Sequence, residues 1–149
     1  MSTKHASRFP FLIVVTALAL GADALRAADP GSAGEAQKAA EAAAQSWLGL
    51  VDAGKYGESW DAAAAAFRAA LSREQWIQAL DKVRRPLGKV ASRKLRGAQY
   101  ATELPNAPKG EYVIIQFDTA FENQPGAVET ITPTKDSDGH WRVAGYFIR

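Results

Sequence analysis

The sequence predicts a single α+β domain, with three helices first and about four antiparallel strands afterwards. Three observations carry this. Apolar residues in the first half recur at spacings of three and four, while those in the second half alternate. Capping residues and glycines punctuate both halves, and the character of the chain changes after Gly88.

Asp29-Pro30-Gly31-Ser32 reads as part of a flexible lead over residues 25–34, with the folded domain spanning 35–149. Ser32 and Glu35 have the spacing of a capping box, in which each side chain satisfies a free backbone donor. The first helix then runs from Glu35 to about Asp52, its stripe formed by Ala36, Ala40, Ala43, Trp47 and Leu50. Gly54 supplies a left-handed stop. A second helix is expected over Tyr56–Ala70, with Tyr56, Trp60, Ala63 or Ala64, and Phe67 on one face. Its alanine run has high helix propensity, and small side chains also let a neighbouring element come close. Ser72 and Gln75 repeat the capping-box spacing ahead of a third helix striped by Trp76, Leu80, Val83 and Leu87, which Pro86 and Gly88 end.

Val90 to about Tyr100 reads as a polar first strand, and Leu104–Gly110 as a loop. Glu111–Phe121 is the clearest strand: Val113, Ile115, Phe117, Thr119 and Phe121 share one face. Gln124-Pro125-Gly126 is expected to turn the chain into a third strand over Ala127–Thr134. Asp138-Gly139 then signals a hairpin into His140–Ile148. Pro133 cannot donate to a ladder and marks an edge or a bulge. Trp141 and Tyr146 have opposite parities, which would put them on opposite faces of the sheet and leave one outside as a partner or dimer surface.

Residues 1–24 read as a secretory signal: Lys4 and Arg8 precede an apolar stretch from Phe9 to Leu20, and Ala22-Asp23-Ala24 offers a small-residue cleavage site. The alternative is a retained N-terminal anchor. Cleavage lowers the basic count from 18 to 16 and the acidic count from 16 to 15, leaving a net charge of +1. A near-neutral domain lacks the electrostatic footprint of a nucleic-acid binder, and no membrane association is expected once the signal is removed. The expected location is the periplasm or the extracellular space.

Composition narrows the chemistry. The 149 residues include no Cys and two His, so thiolate nucleophiles, disulfides and thiolate metal sites are excluded. His140 follows the Asp138-Gly139 turn and reads as an exposed tip residue. Asp136 and Asp138 lack the pattern of a calcium loop, and there is no Gly-x-Ser-x-Gly elbow or phosphate-binding glycine loop. No metal or cofactor is implied.

The ordered motifs resemble a bacterial family called domain of unknown function 4019. Trp47-Leu48 with Asp52, Gly54 and Tyr56, then Ser59-Trp60, Phe67 and Trp76, carry the first half of the resemblance. Arg85-Pro86-Leu87-Gly88, Arg93, Glu111-Tyr112-Val113, Phe117 with Phe121, Glu129-Thr130, and Trp141 with Gly145-Tyr146 carry the rest. The resemblance implies a nuclear transport factor 2-like cone, in which a curved antiparallel sheet wraps three helices. It also implies an exported location and no assigned activity, and it transfers no catalytic residue.

The charges embedded among core positions are the candidates for a site. Glu129 is expected to meet Arg93 or Arg85 inside or at the rim of a cavity, since a buried charge must be paired. Such a pair could orient a polar ligand, leave Glu129 as a base, or brace helix against sheet. Asp52 opposes the dipole at the end of the first helix, so it reads either as a functional carboxylate or as an acceptor for the turn Ala53-Gly54-Lys55. Tyr56 and Trp60 are the aromatics expected to wall a pocket, with Tyr146 nearby. Arg93, Lys94 and Arg96, with Lys89, read as a solvated basic run.

Three functional classes remain. The first is a non-catalytic envelope protein that binds a small molecule or a protein partner. The second is a cofactor-independent isomerase or dehydratase using a pocket carboxylate. The third is a dimerisation module that pairs as a homodimer.

Overall fold

The structure, a computed structural model, describes residues 30–149. The stretch expected to be a secretory signal, residues 1–24, and the beginning of the expected lead lie outside the described residues. Helix α1 spans Pro30–Asp52, α2 Tyr56–Asp61, α3 Ala65–Ala70 and α4 Arg73–Val83, and a 3-10 turn follows over Arg85–Leu87. Strands β1 Val90–Ala101, β2 Tyr112–Phe121, β3 Gln124–Lys135 and β4 Trp141–Ile148 form an open antiparallel sheet in the order β1-β2-β3-β4. The α+β class, with helices preceding a four-stranded antiparallel sheet, is as expected. There are four α-helices among the described residues rather than three.

The extra helix arises where propensity alone misleads. The expected Tyr56–Ala70 helix breaks at Ala62–Ala64, separating α2 from α3. Ala64 is extended (ψ 153°), and its N–H donates to the Val143 carbonyl of β4 at 2.8 Å. Ala63 and Ala64 are both fully buried. Their small methyl side chains let the backbone reach the edge of β4, and this tertiary bond displaces a helical one.

The described part of helix α1 opens at Pro30, whose fixed φ and missing N–H are tolerated in a first helical turn. Residues 30–34 of the expected lead are therefore helical, and Ser32 lies inside the first turn rather than ahead of it. The buried stripe of α1 is Ala36, Ala40, Ala44, Trp47, Leu48 and Val51; Ala43 and Leu50 are replaced by their neighbours. The Ser72–Gln75 capping box is formed in both directions. In α4, Trp76 and Leu80 are buried, but Val83 is 46% exposed and Arg84 is buried instead.

The chain between β2 and β3 turns at Glu122-Asn123, not at Gln124-Pro125-Gly126. That turn is clasped by the segment after α4: the Asn123 N–H donates to the Leu87 carbonyl and the Asn123 side chain to the Pro86 carbonyl. Between the pairs Thr119↔Ala127 and Phe121↔Gln124, Pro125 and Gly126 oppose Ala120 alone, so Pro125 occupies a bulge. Pro133 also sits at a bulge, between Thr132↔Gly145 and Pro133↔Val143, with Ala144 as the additional residue. This second bulge reverses the parity of β4. Trp141 and Tyr146 consequently both pack against the core, and the exposed aromatic is Phe147, at 47%.

Helix α1 lies across the sheet and touches all four strands. Beneath it Trp47, Leu48, Trp76, Val113, Ile115, Ile131, Val143 and Tyr146 form one core. Trp47, Trp76, Phe67 and Tyr146 meet with ring centroids 4.9–6.4 Å apart, most of them edge to face.

Candidate functional site

Two places in the described structure gather polar groups around buried surface. The first is an ion cluster that joins α1, the end of α4 and all four strands. The Glu129 side chain, fully buried on β3, accepts from Arg93 Nε at 2.7 Å and Thr119 Oγ1 at 2.6 Å through Oε1. Its Oε2 accepts from Arg93 Nη2 at 3.2 Å and from the Tyr146 hydroxyl at 2.5 Å. Arg93 also donates to both Asp52 oxygens, at 2.7 and 3.1 Å, and Arg84 Nη2 donates to Asp52 Oδ1 at 3.1 Å. Two cations thus face two carboxylates, and the cluster is neutral.

The electrostatics follow from this geometry. Burial pushes the Asp52 carboxyl up, but hydrogen bonds and charge from Arg93 and Arg84 outweigh it and leave the group below its ordinary value. Burial works against the Arg93 guanidinium, yet Asp52 and Glu129 raise it above the usual arginine range. Burial, reinforced by the Glu129 charge, holds the Tyr146 hydroxyl well above its ordinary value. At neutral pH Tyr146 is therefore a neutral donor, and Glu129 has both oxygens engaged.

Of the residues expected to form a site, Asp52, Arg93, Glu129 and Tyr146 are brought together. Arg85 is not: it is exposed, pairs with Asp81 and lies over the Tyr56 ring at 5.3 Å. Arg84, its neighbour, takes the inner place, donating to the Gly88 carbonyl at 2.6 Å and lying over the Phe121 ring at 4.6 Å. Asp52 does not cap its own turn, because the Gly54 and Lys55 N–H groups are satisfied by the Val51 and Leu50 carbonyls. Within the basic run, Arg93 is half-buried in this cluster while Arg96 pairs with Asp118 at the surface. Tyr56 and Trp60 pack in and against the core, with Trp60 Nε1 donating to the Leu71 carbonyl.

The sequence gives little warning of Ser59. Fully buried on α2, it accepts Trp76 Nε1 through Oγ at 2.9 Å and Trp47 Nε1 through its carbonyl at 2.8 Å. One small residue therefore satisfies two indoles. The only sequence signal is a serine next to Trp60 on an otherwise aromatic stripe.

The second place is a cleft of about 790 Å³ between α3 and α4 on one side and the 104–110 loop with β2, β3 and β4 on the other. Phe67, Leu71, Ala79, Leu104 and Tyr112 supply apolar wall. None of the residues expected to form a site lines it. Thr132 does, and its hydroxyl is buried with no hydrogen-bond partner. Lys82, Lys109 and Lys135 are the lining cations. Lys109 and Lys135 pair with Glu103 and Glu111, whereas Lys82 has no ion-pair partner among the described residues. The lining acid, Asp136, is held by Arg142 at 3.1 Å. Nothing in the pattern around Thr132 marked it beforehand except Pro133, whose bulge shapes this end of β3.

Among the described residues no group of three or more His, Asp or Glu side chains is arranged to hold a metal ion, and no helix is long and apolar enough to cross a membrane. No curated protein and no solved structure gives a significant match to the chain. The family model described as protein of unknown function DUF4019 matches residues 43–146, which include α2, α3, α4, all of β1 to β3 and both polar centres. With well over half of its length matched, the chain belongs to that family.

Proposed function

We propose that this is an exported, non-catalytic envelope protein that binds a small molecule in the cleft between α3, α4 and the β3 end of the sheet. The observation that carries this reading is the Thr132 hydroxyl, buried in the lining of a cleft of about 790 Å³ without a partner. A buried hydroxyl left unmade costs on the order of 1–3 kcal/mol, a cost removed when the Thr132 side chain turns towards an acceptor in the cleft. The volume falls in the range of small-molecule sites, and the wall combines apolar side chains with a few polar groups. The export part of the reading rests on the apolar N-terminal stretch and its small-residue cleavage site. A nuclear transport factor 2-like cone is the fold we propose for the arrangement, on the strength of the motif order together with helices laid across one antiparallel sheet.

The catalytic alternative needs a reactive carboxylate facing an open chamber. Glu129 stands beside a tyrosine and an arginine, as that alternative requires, but its oxygens are occupied and it does not line the cleft. This favours binding over turnover, with the ion cluster as a brace.

Native mass spectrometry of the full chain purified from an expressing cell tests the proposal. The expected result is a stoichiometric small-molecule adduct that is lost on denaturation and absent from Ala66→Trp, which fills the cleft from an exposed helix position. An adduct that survives this substitution, or a chain with no adduct that no compound in a chemically diverse panel stabilises, overturns it.

A further inference from the structure

The charge and polarity of the cleft specify more than its volume does. Its wall is apolar at Phe67, Leu71, Ala79 and Tyr112, and its charged lining is three lysines against one aspartate. That aspartate is already neutralised by Arg142, and two of the lysines are matched by glutamates outside the lining. The uncompensated charge is Lys82, in the last turn of α4, where a cation also suits the helix dipole. Thr132 adds a buried hydroxyl with a proton to donate. An apolar slot with one surplus cation and one orphan donor complements a molecule with an apolar body and an anionic oxygen head. A cationic or purely neutral ligand would leave Lys82 unmatched.

We infer that the cleft takes an amphipathic oxyanion, a carboxylate or phosphate monoester on an apolar chain or ring, with Lys82 as the charge that selects it. The inference rests on the cleft being a binding site. Carboxylate and phosphate heads share this chemistry, and separate probes distinguish them.

Calorimetric titration of the full chain with decanoate, decyl phosphate, decanol and acetate, each below its micellar concentration, reads the inference directly. At least one of the two decyl anions is expected to bind about tenfold more tightly than decanol, with acetate not binding measurably. Lys82→Glu should abolish that preference. Thr132→Val should weaken the anion several-fold, while the unliganded protein melts no lower than the parent because a buried unpaired hydroxyl has been removed. Decanol binding as tightly as both anions, or an anion affinity indifferent to Lys82→Glu, overturns the ligand class. If these failures occur while Ala66→Trp still weakens binding, the cleft remains the site and only the ligand class falls. If Ala66→Trp changes the affinity of no probe that binds, the cleft reading itself falls. No binding by any of the four overturns the ligand class and leaves the cleft to the adduct measurement.

Discussion

The two polar centres of this protein are built on opposite principles. Around Glu129 two cations meet two carboxylates, a tyrosine and a threonine close the remaining positions, and Arg84 Nε is the one buried atom left over, with its guanidinium stacked on Phe121. Around Thr132 a hydroxyl and a lysine are left unmatched beside apolar wall. A nearly saturated cluster, with Arg84 Nε its one unpartnered buried atom among the described residues, has little bonding capacity left to offer a ligand, and disturbing it exposes unpaired buried charge. An unsaturated cleft carries that capacity at a small cost in stability. On the proposed reading, the more conspicuous charges in the sequence brace the fold and the less conspicuous groups serve the cleft.

This contrast is broken most severely at Arg93. Arg93→Met strands Glu129 fully buried without its cation, and removing one partner of a buried pair costs roughly 3–5 kcal/mol. Thermal denaturation should show a fall on the order of 10 °C. Cleft affinity per folded molecule should stay unchanged; a binding defect larger than the loss of folded protein would tie the two centres together. Glu129→Gln keeps the shape but loses the charge, and a smaller drop of about 2 kcal/mol is expected in the same measurement.

The pH limits sharpen the comparison further. Asp52 is held below its ordinary value, so the stability it contributes is complete above about pH 4 and is lost as pH falls through its lowered value. Tyr146 is held above its ordinary value, so the folded chain keeps a proton that the unfolded chain releases near pH 10. Stability should therefore decline as pH rises from 10 towards the raised value, and Tyr146→Phe should flatten that alkaline limb in urea titrations. An unchanged limb would show that Tyr146 is not buried against Glu129.

Ser59→Ala removes the Oγ acceptor of the Trp76 indole and should cost about 1–2 kcal/mol by chemical denaturation, with the Trp47 bond to the backbone retained. The smallest effect is expected at the α4 cap, where Ser72→Ala should cost about 1 kcal/mol without altering either centre.

The parts of the fold legible in the sequence are those whose signals are local. The Ser72–Gln75 box, the left-handed Gly54 and the alternation over Val113–Phe121 each arise within a few residues, and each is realised. The failures occur where a distant partner decides. The alanine run broke because Val143 offers a carbonyl, and Trp141 changed face because a bulge at Ala144 intervenes. At the ion cluster, Arg93 and Glu129 could be picked out because charges within apolar patterns demand partners, and Asp52 because it opposes the dipole at the end of a helix. The choice between Arg84 and Arg85 could not, since a helix ending one residue earlier or later exchanges their directions. Thr132 could not be picked out either: its distinction is the absence of a partner, which is a property of the surroundings.

From its own residues the chain determines an α+β order, the Ser72–Gln75 cap and most strand faces, because capping and periodicity are set by bonds and side chains a few positions apart. Which charges meet, where the helices break and where a cleft opens are decided only in the folded molecule. Burial and long-range hydrogen bonding act there between segments such as Asp52 and Arg93, which are 41 residues apart in the chain.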